Sequence, residues 1–402
     1  MGEHDIFPCL REWMSEMDVS LAENLRRWAE NEVMAKRLEL KEDYQALLEP
    51  AIHKLFLEIG LQRLLWPEEH GGDGHNTPAA ALTVTAALEQ VARGDVGIAL
   101  FLSSLFALQS AVALEGAVNE EACAALQEKI AGKDAPALVS LVLPLYRGEP
   151  QAKAKGGKGG WTVEAASARP LAGGGNGNLF GVLCRLEGSE DGVALLVVPG
   201  ESKGVQRGEA LKRTGLAADR SAAVEFAKVK VPEGMCVARG EEACRGVLSW
   251  LYLGISASNV GALFASYEIL REWGDNRVIK GRGNIFKENP LTASVMAEVA
   301  KETSLCRLLT WNLARVLSDP DLYGPPGAEA NYVTALMVAH QVSQSAEKAI
   351  NNAMEMMASA GYAKEWNLER YWRDVKTMQS CLGPYELAKM DMSRYFYRAS
   401  SL

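Results

Sequence analysis

Between Ala135 and about Pro232 the chain changes texture, and that change constrains the fold more than any single motif. Short apolar runs alternate there with glycine-rich turns: ALVSLVL, WTVEAAS, LFGVLCRL, GVALLVVP and AAVEFAKVKVP. They have strand length and are rich in valine, whose branched side chain suits a pleated, half-buried surface. The pattern predicts a small antiparallel sheet or barrel. Lys153 to Gly160 (KAKGGKGG) and Gly173 to Gly177 (GGGNG) read as turns or loops. Neither stands between a strand and a helix, as a phosphate loop or dinucleotide fingerprint requires.

On both sides of this block the periodicity is helical. Asp18 to Glu42 is long and charged, with leucines on one face. Ala79 to Val112 reads as two apolar helices broken at Arg93-Gly94-Asp95, with Asp95 capping the second. Toward the C-terminus, a helix ending at Gly274, Pro290 to Leu317, Ala328 to Ala360 and a last segment predict a four-helix bundle. At 402 residues the chain exceeds one hydrophobic core. The expected division is an N-terminal helical domain over 1–132, a middle β domain over 133–238 and a C-terminal bundle over 239–402. The class is α+β.

A net charge of −9 argues against a nucleic-acid partner. No run of 18 apolar residues is apparent, so no membrane span is expected. The start, MGEHDIFPCLREWM, lacks a basic and then apolar leader. The seven cysteines form no C-x-x-C pair, which fits a reducing cytoplasm and neither disulfides nor a metal site.

Met356 to Tyr397 carries Gly361-Tyr362, Glu369-Arg370-Tyr371, Arg373-Asp374, then Gly383 and Glu386-Leu387. This stretch resembles the C-terminal signature of the acyl-CoA dehydrogenase family. Gly60-Leu61, Pro67-Glu68 and Gly71-Gly72 resemble the family's G-L-x-x-x-x-x-P-E-x-x-G-G element. Leu211 to Leu216 and Phe226 to Pro232 resemble its exit from the β domain. Arg277 and Gly281 stand at the spacing of its R-x-x-F-G element, with Lys280 in place of the aromatic. The resemblance spans about Leu55 to Tyr397.

It implies a CoA thioester, a flavin (FAD) that bridges subunits, a homo- or hetero-oligomer, and an electron-transfer flavoprotein as acceptor. It also implies a glutamate that takes the proton α to the thioester carbonyl. Both positions the family uses for that glutamate hold leucines here: Leu382, eight residues after Asp374, and Leu251, before Tyr252. A leucine has no lone pair and cannot act as a base. Glu386 stands at the wrong distance and reads as a solvated or capping carboxylate. Asp95 is the acid that could act instead, on a carbon further along a cyclic or unsaturated acyl group; its other reading is the helix cap.

The flavin contacts are altered as well. The family's T-E-P-x-x-G-S segment is here Val142-Leu143-Pro144-Leu145-Tyr146-Arg147-Gly148. Its W-I/F-T-N strand is replaced by Arg169-Pro170-Leu171-Ala172-Gly173-Gly174, and its Gln and Gly-Gly by Glu355 and Ala358-Ser359. By position Arg277, Gly361, Gly383, Val142 and Pro144 remain as cofactor contacts. Arg213 and Arg220 are the arginines placed for a CoA phosphate. Three readings stand: a dehydrogenase with a relocated base, a non-catalytic subunit paired with an active homologue, and a plain CoA-thioester- or protein-binding scaffold, the first two favoured about equally.

Overall fold

The computed structural model describes residues 11–36, 44–144, 149–189, 192–279, 281, 283 and 285–399. Lys280 and Leu145 to Gly148 lie outside them, as does the end of the helix expected over Asp18 to Glu42. The N-terminal helices are α1 (Glu16–Trp28), α2 (Tyr44–His53), α3 (Ala80–Gly94), α4 (Val96–Val112) and α5 (Glu120–Ile130). Helix α1 starts at a capping box in which Ser15 and Asp18 satisfy each other's free amides. Helix α4 is apolar on every face, and such a helix is stable only when enclosed.

The sheet follows, with β1 (Val139–Val142), β2 (Ala152–Gly157), β3 (Gly160–Ala168), β4 (Leu179–Glu187), β5 (Val193–Pro199), β6 (Val205–Ala210), β7 (Ala222–Pro232) and β8 (Cys236–Arg239). Its order is β6-β7-β3-β2-β4-β5-β8, with β1 also on β4. Most pairings are antiparallel; β1 and β2 instead run parallel to successive halves of β4. All five valine-rich runs are strands. KAKGGKGG, expected to be turns or loops, is strand β2 as far as Gly157, followed by the hairpin turn. Its alternation is carried by Ala152 and Ala154 facing inward, with Lys153 and Lys155 outward.

The C-terminal helices are α6 (Glu241–Asn276), α7 (Pro290–Ser318), α8 (Pro320–Tyr323), α9 (Glu329–Met356), α10 (Leu368–Gln379) and α11 (Tyr385–Tyr397). Helix α6 is about 54 Å long at 1.5 Å per residue and packs against α3, α4, α7 and α9. It contains an 18-residue window of mean hydropathy 1.4, so a run long and apolar enough to cross a membrane does exist. The window is 94% buried inside the fold, which is what its apolar character serves here.

His340 on α9 is 4% exposed, and its ring lies 5.0 Å from that of Tyr385 on α11. Its Nε2 has no hydrogen-bond partner among the described residues. Burial alone pushes its pKa from 6.5 down to about 4. A depressed folded-state pKa gives stability that is present above the unfolded value and lost as pH falls through the folded one. Over that window the loss from this site amounts to roughly 3 kcal/mol. His340→Phe is expected to flatten that part of a urea-midpoint profile between pH 6.5 and 4; an unchanged slope would place the acid sensitivity elsewhere.

Candidate functional site

Three segments meet at a cleft of about 480 Å³: Leu143-Pro144 leaving β1, Arg169-Pro170-Leu171 leaving β3, and the turn from Ser380 to Pro384 between α10 and α11. The sheet fixes the first two, because Leu171 N donates to Leu141 O at 2.8 Å. The third is set by Gly383, whose φ of +74° closes the short helical turn at Leu382 in a conformation that favours glycine. Gln151 and Arg213 complete the lining. The Gln151 carboxamide spans the first two segments: Nε2 donates to Leu143 O (2.6 Å) and Arg169 O (3.1 Å), and Oε1 accepts from Arg169 N (2.7 Å). Among the described residues lining the cleft there is no carboxylate and no histidine. Its one thiol, Cys381, is pushed up to about 12 by burial, which keeps it protonated and unreactive near neutrality.

Leu382 is 8% exposed and Leu251 fully buried, both inside the apolar core. Asp95 is fully buried and does not line the cleft. It caps α4, accepting from Ile98 N at 2.8 Å, and its Oδ2 stands 3.3 Å from Arg370 Nη1. The same guanidinium reaches Asp374, with Nε 3.9 Å from Oδ2, and donates to Gly94 O at 2.7 Å. Burial and the neighbouring Asp374 charge push Asp95 up to about 7; burial also raises Asp374, against the pull of Arg370. Two carboxylates and one cation in a closed space are a structural knot.

The other residues singled out in the sequence take varied places. Pro144, Arg213 and Gly383 line the cleft, and Val142 is buried behind it in β1. Arg213 donates to Asp219 Oδ2 at 2.7 Å, and Arg220 pairs with Glu49 at 2.6 Å, so each already faces a carboxylate. Gly361 packs so closely that a Cβ would lie 2.3 Å from Met354 O, which accounts for the glycine without a ligand. Arg277 is exposed at the end of α6, stacked on Trp273 at 5.3 Å. Sequence reasoning missed Gln151, which stands in no motif and is identified only by its contacts.

Two family models match the chain: acyl-CoA dehydrogenase N-terminal domain over residues 15–131 and acyl-CoA dehydrogenase C-terminal domain over 239–396. The chain belongs to the acyl-CoA dehydrogenase family. Among relatives, the rat mitochondrial short/branched chain specific acyl-CoA dehydrogenase is 24% identical, over 90% of this chain and 81% of its own. The rat short-chain specific enzyme is 22% identical, over 96% and 91%. The butyryl-CoA dehydrogenase structure from Megasphaera elsdenii superposes with a TM-score of 0.77 at 18% identity, over 96% of this chain and 99% of that one, a likeness of fold.

Members of this family are flavoproteins, and the cleft can be tested against a flavin ring. The pyrimidine edge of an isoalloxazine needs hydrogen-bond donors and acceptors. Three lining residues, Pro144, Pro170 and Pro384, have no N–H. The amides of Arg169 and Leu171 already donate to Gln151 and Leu141. A second cavity, of about 540 Å³, lies between Phe286, α7 and the end of α9, beside Glu355, which stands in place of the Gln that the family resemblance implies as a cofactor contact. It is lined by Glu298 and Glu355, carboxylates that repel a pyrophosphate. Among the described residues, neither the backbone amides of the Arg169-Pro170-Leu171 segment nor the carboxylates of the second cavity fit FAD.

Proposed function

We propose that this chain is a non-catalytic subunit of an acyl-CoA dehydrogenase assembly, paired with a homologue that carries the glutamate. The observation that carries this reading is the absence of any proton acceptor among the described residues lining the cleft. Abstraction of an α-proton needs a base within about 3 Å of the carbon, directly or through one water. Leucines fill both family positions, and Asp95 is enclosed with Arg370. In this reading the active subunit binds the CoA thioester, and an electron-transfer flavoprotein takes the electrons from it. Exposed Leu305, Leu308 and Leu309 on α7, together with Arg277, supply surface for the partner subunit.

The test is turnover of short-chain acyl-CoA by the purified chain with added FAD and an artificial electron acceptor, alongside exchange of the α-proton in D2O. Neither reaction is expected from the chain alone, and both are expected once an active homologue is co-expressed. Turnover by the chain alone that disappears in Asp95→Asn would instead establish the relocated base.

A further inference from the structure

We propose that the Gln151 carboxamide is the resident occupant of the cleft's polar edge and excludes a flavin ring from it. The proposal rests on the reading of this cleft as the family's flavin face, but not on the missing base. The orientation of the amide is determined by its partners. Two carbonyls, Leu143 O and Arg169 O, face Nε2, and one N–H, that of Arg169, faces Oε1. Rotating the amide by half a turn would set oxygen against oxygen and N–H against N–H.

This pattern has a chemical counterpart. A primary amide offers a C=O acceptor beside an N–H donor, as the C4=O and N3–H edge of an isoalloxazine does. Gln151 therefore meets the N–H and C=O of Arg169 as such an edge would, from within the chain, and its second N–H, on Leu143 O, has no counterpart on the ring. The position is held firmly. The next residue, Ala152, opens β2 and pairs with Cys184 on β4, so the Gln151 backbone is fixed by the sheet. The loop opposite is held from behind: Leu171 N donates to Leu141 O, and Leu171 O accepts from Arg213. A ring entering the cleft has to break three hydrogen bonds, and the prolines provide no donors to replace them.

The probe is lumiflavin, the ring without the dinucleotide, titrated into the intact purified chain and followed by quenching of its fluorescence. This leaves the Glu298 and Glu355 cavity out of the measurement. The chain as it stands is expected to show no saturable binding. Gln151→Gly removes the side chain and leaves the Arg169 N–H and C=O open to the ring, and is expected to tighten binding on the order of tenfold or more, the effect of two hydrogen bonds formed by the ring edge. Gln151→Leu loses the same bonds but keeps the volume, and is expected to remain as poor as the parent. Gln151→Ala replaces the glycine variant if that chain fails to fold by circular dichroism.

Saturable binding by the parent chain, or equal binding by folded Gly and Leu variants, would overturn the proposal. So would a folded Gly or Ala variant that gains nothing. None of these outcomes bears on α-proton exchange, so this proposal and the non-catalytic reading can fail separately.

Discussion

Glu89→Ala is expected to destabilise the chain by about 3–5 kcal/mol, the usual effect of leaving one member of a buried ion pair alone. Glu89 is on α3 and its side chain is 1% exposed; Arg307 is on α7 and its side chain is 7% exposed. The guanidinium meets the carboxylate twice, with Nε at 3.2 Å from Oε1 and Nη2 at 3.0 Å from Oε2. Trp311 Nε1 donates to the same carboxylate at 2.8 Å, and Arg307 stacks over Phe264 of α6 at 4.9 Å. One pair thus ties the N-terminal helices to two helices of the bundle. Without Glu89, Arg307 keeps its charge and loses the carboxylate that balances it. Urea unfolding measures the loss directly. The double variant Glu89→Met/Arg307→Met is expected to recover most of it, because well-packed apolar groups often replace a buried pair without penalty. A single-variant loss below about 1 kcal/mol, the range of exposed pairs, would mean that water reaches the site.

That pair was not legible in the sequence, because its members are 218 residues apart and neither stands in a motif. The break at Arg93-Gly94-Asp95 was legible, because capping is local: the donor, Ile98 N, is three residues from the acceptor. The assignment of Leu382 to the family's base position rests on a similarly local count. Its register is counted along one unbroken segment from Asp374, and no loop intervenes to shift it. Strands β2, β6 and β8 were not legible. β6 (VQRGEA) is mostly exposed and β2 is built from alanine, lysine and glycine, so neighbouring strands supply what local propensity lacks. Of the residues singled out in the sequence, Pro144, Gly383 and Arg213 line the cleft, though Arg213 was expected at a CoA phosphate and instead donates to Asp219. The groups that decide what fits there, the amides satisfied by Gln151 and Leu141, are tertiary contacts. Arg373 and Asp374, adjacent in the sequence, proved to serve different partners. Arg373 pairs with Glu369 at 2.6 Å and donates to Thr214 O at 2.7 Å; Asp374 faces Arg370 and accepts from Leu216 N.

Arg370→Ala should be as damaging as the loss of Glu89, and its pH dependence identifies the reason. The variant leaves Asp95 and Asp374, both buried, without their shared cation, and the expected loss near pH 8 is again about 3–5 kcal/mol. Both carboxyls are already raised above the ordinary value of 3.8, and removing the cation raises them further. A carboxyl raised in the folded state gives stability that is fully present below its unfolded pKa and is lost as pH climbs through the folded one. The deficit should therefore shrink on going from pH 8 to pH 5, opposite to ordinary acid denaturation. Asp95→Asn separates the two roles of the aspartate. The amide oxygen can still accept from Ile98 N and cap α4, while one of the two negative charges is removed. Placed on top of Arg370→Ala, it should recover part of the loss at pH 8 and little at pH 5, measured by urea midpoints at both. A deficit equal at the two pH values would mean that Arg370 acts through packing and its bond to Gly94 O. Asp95 would then be free of the electrostatic constraint that sets it apart from a base.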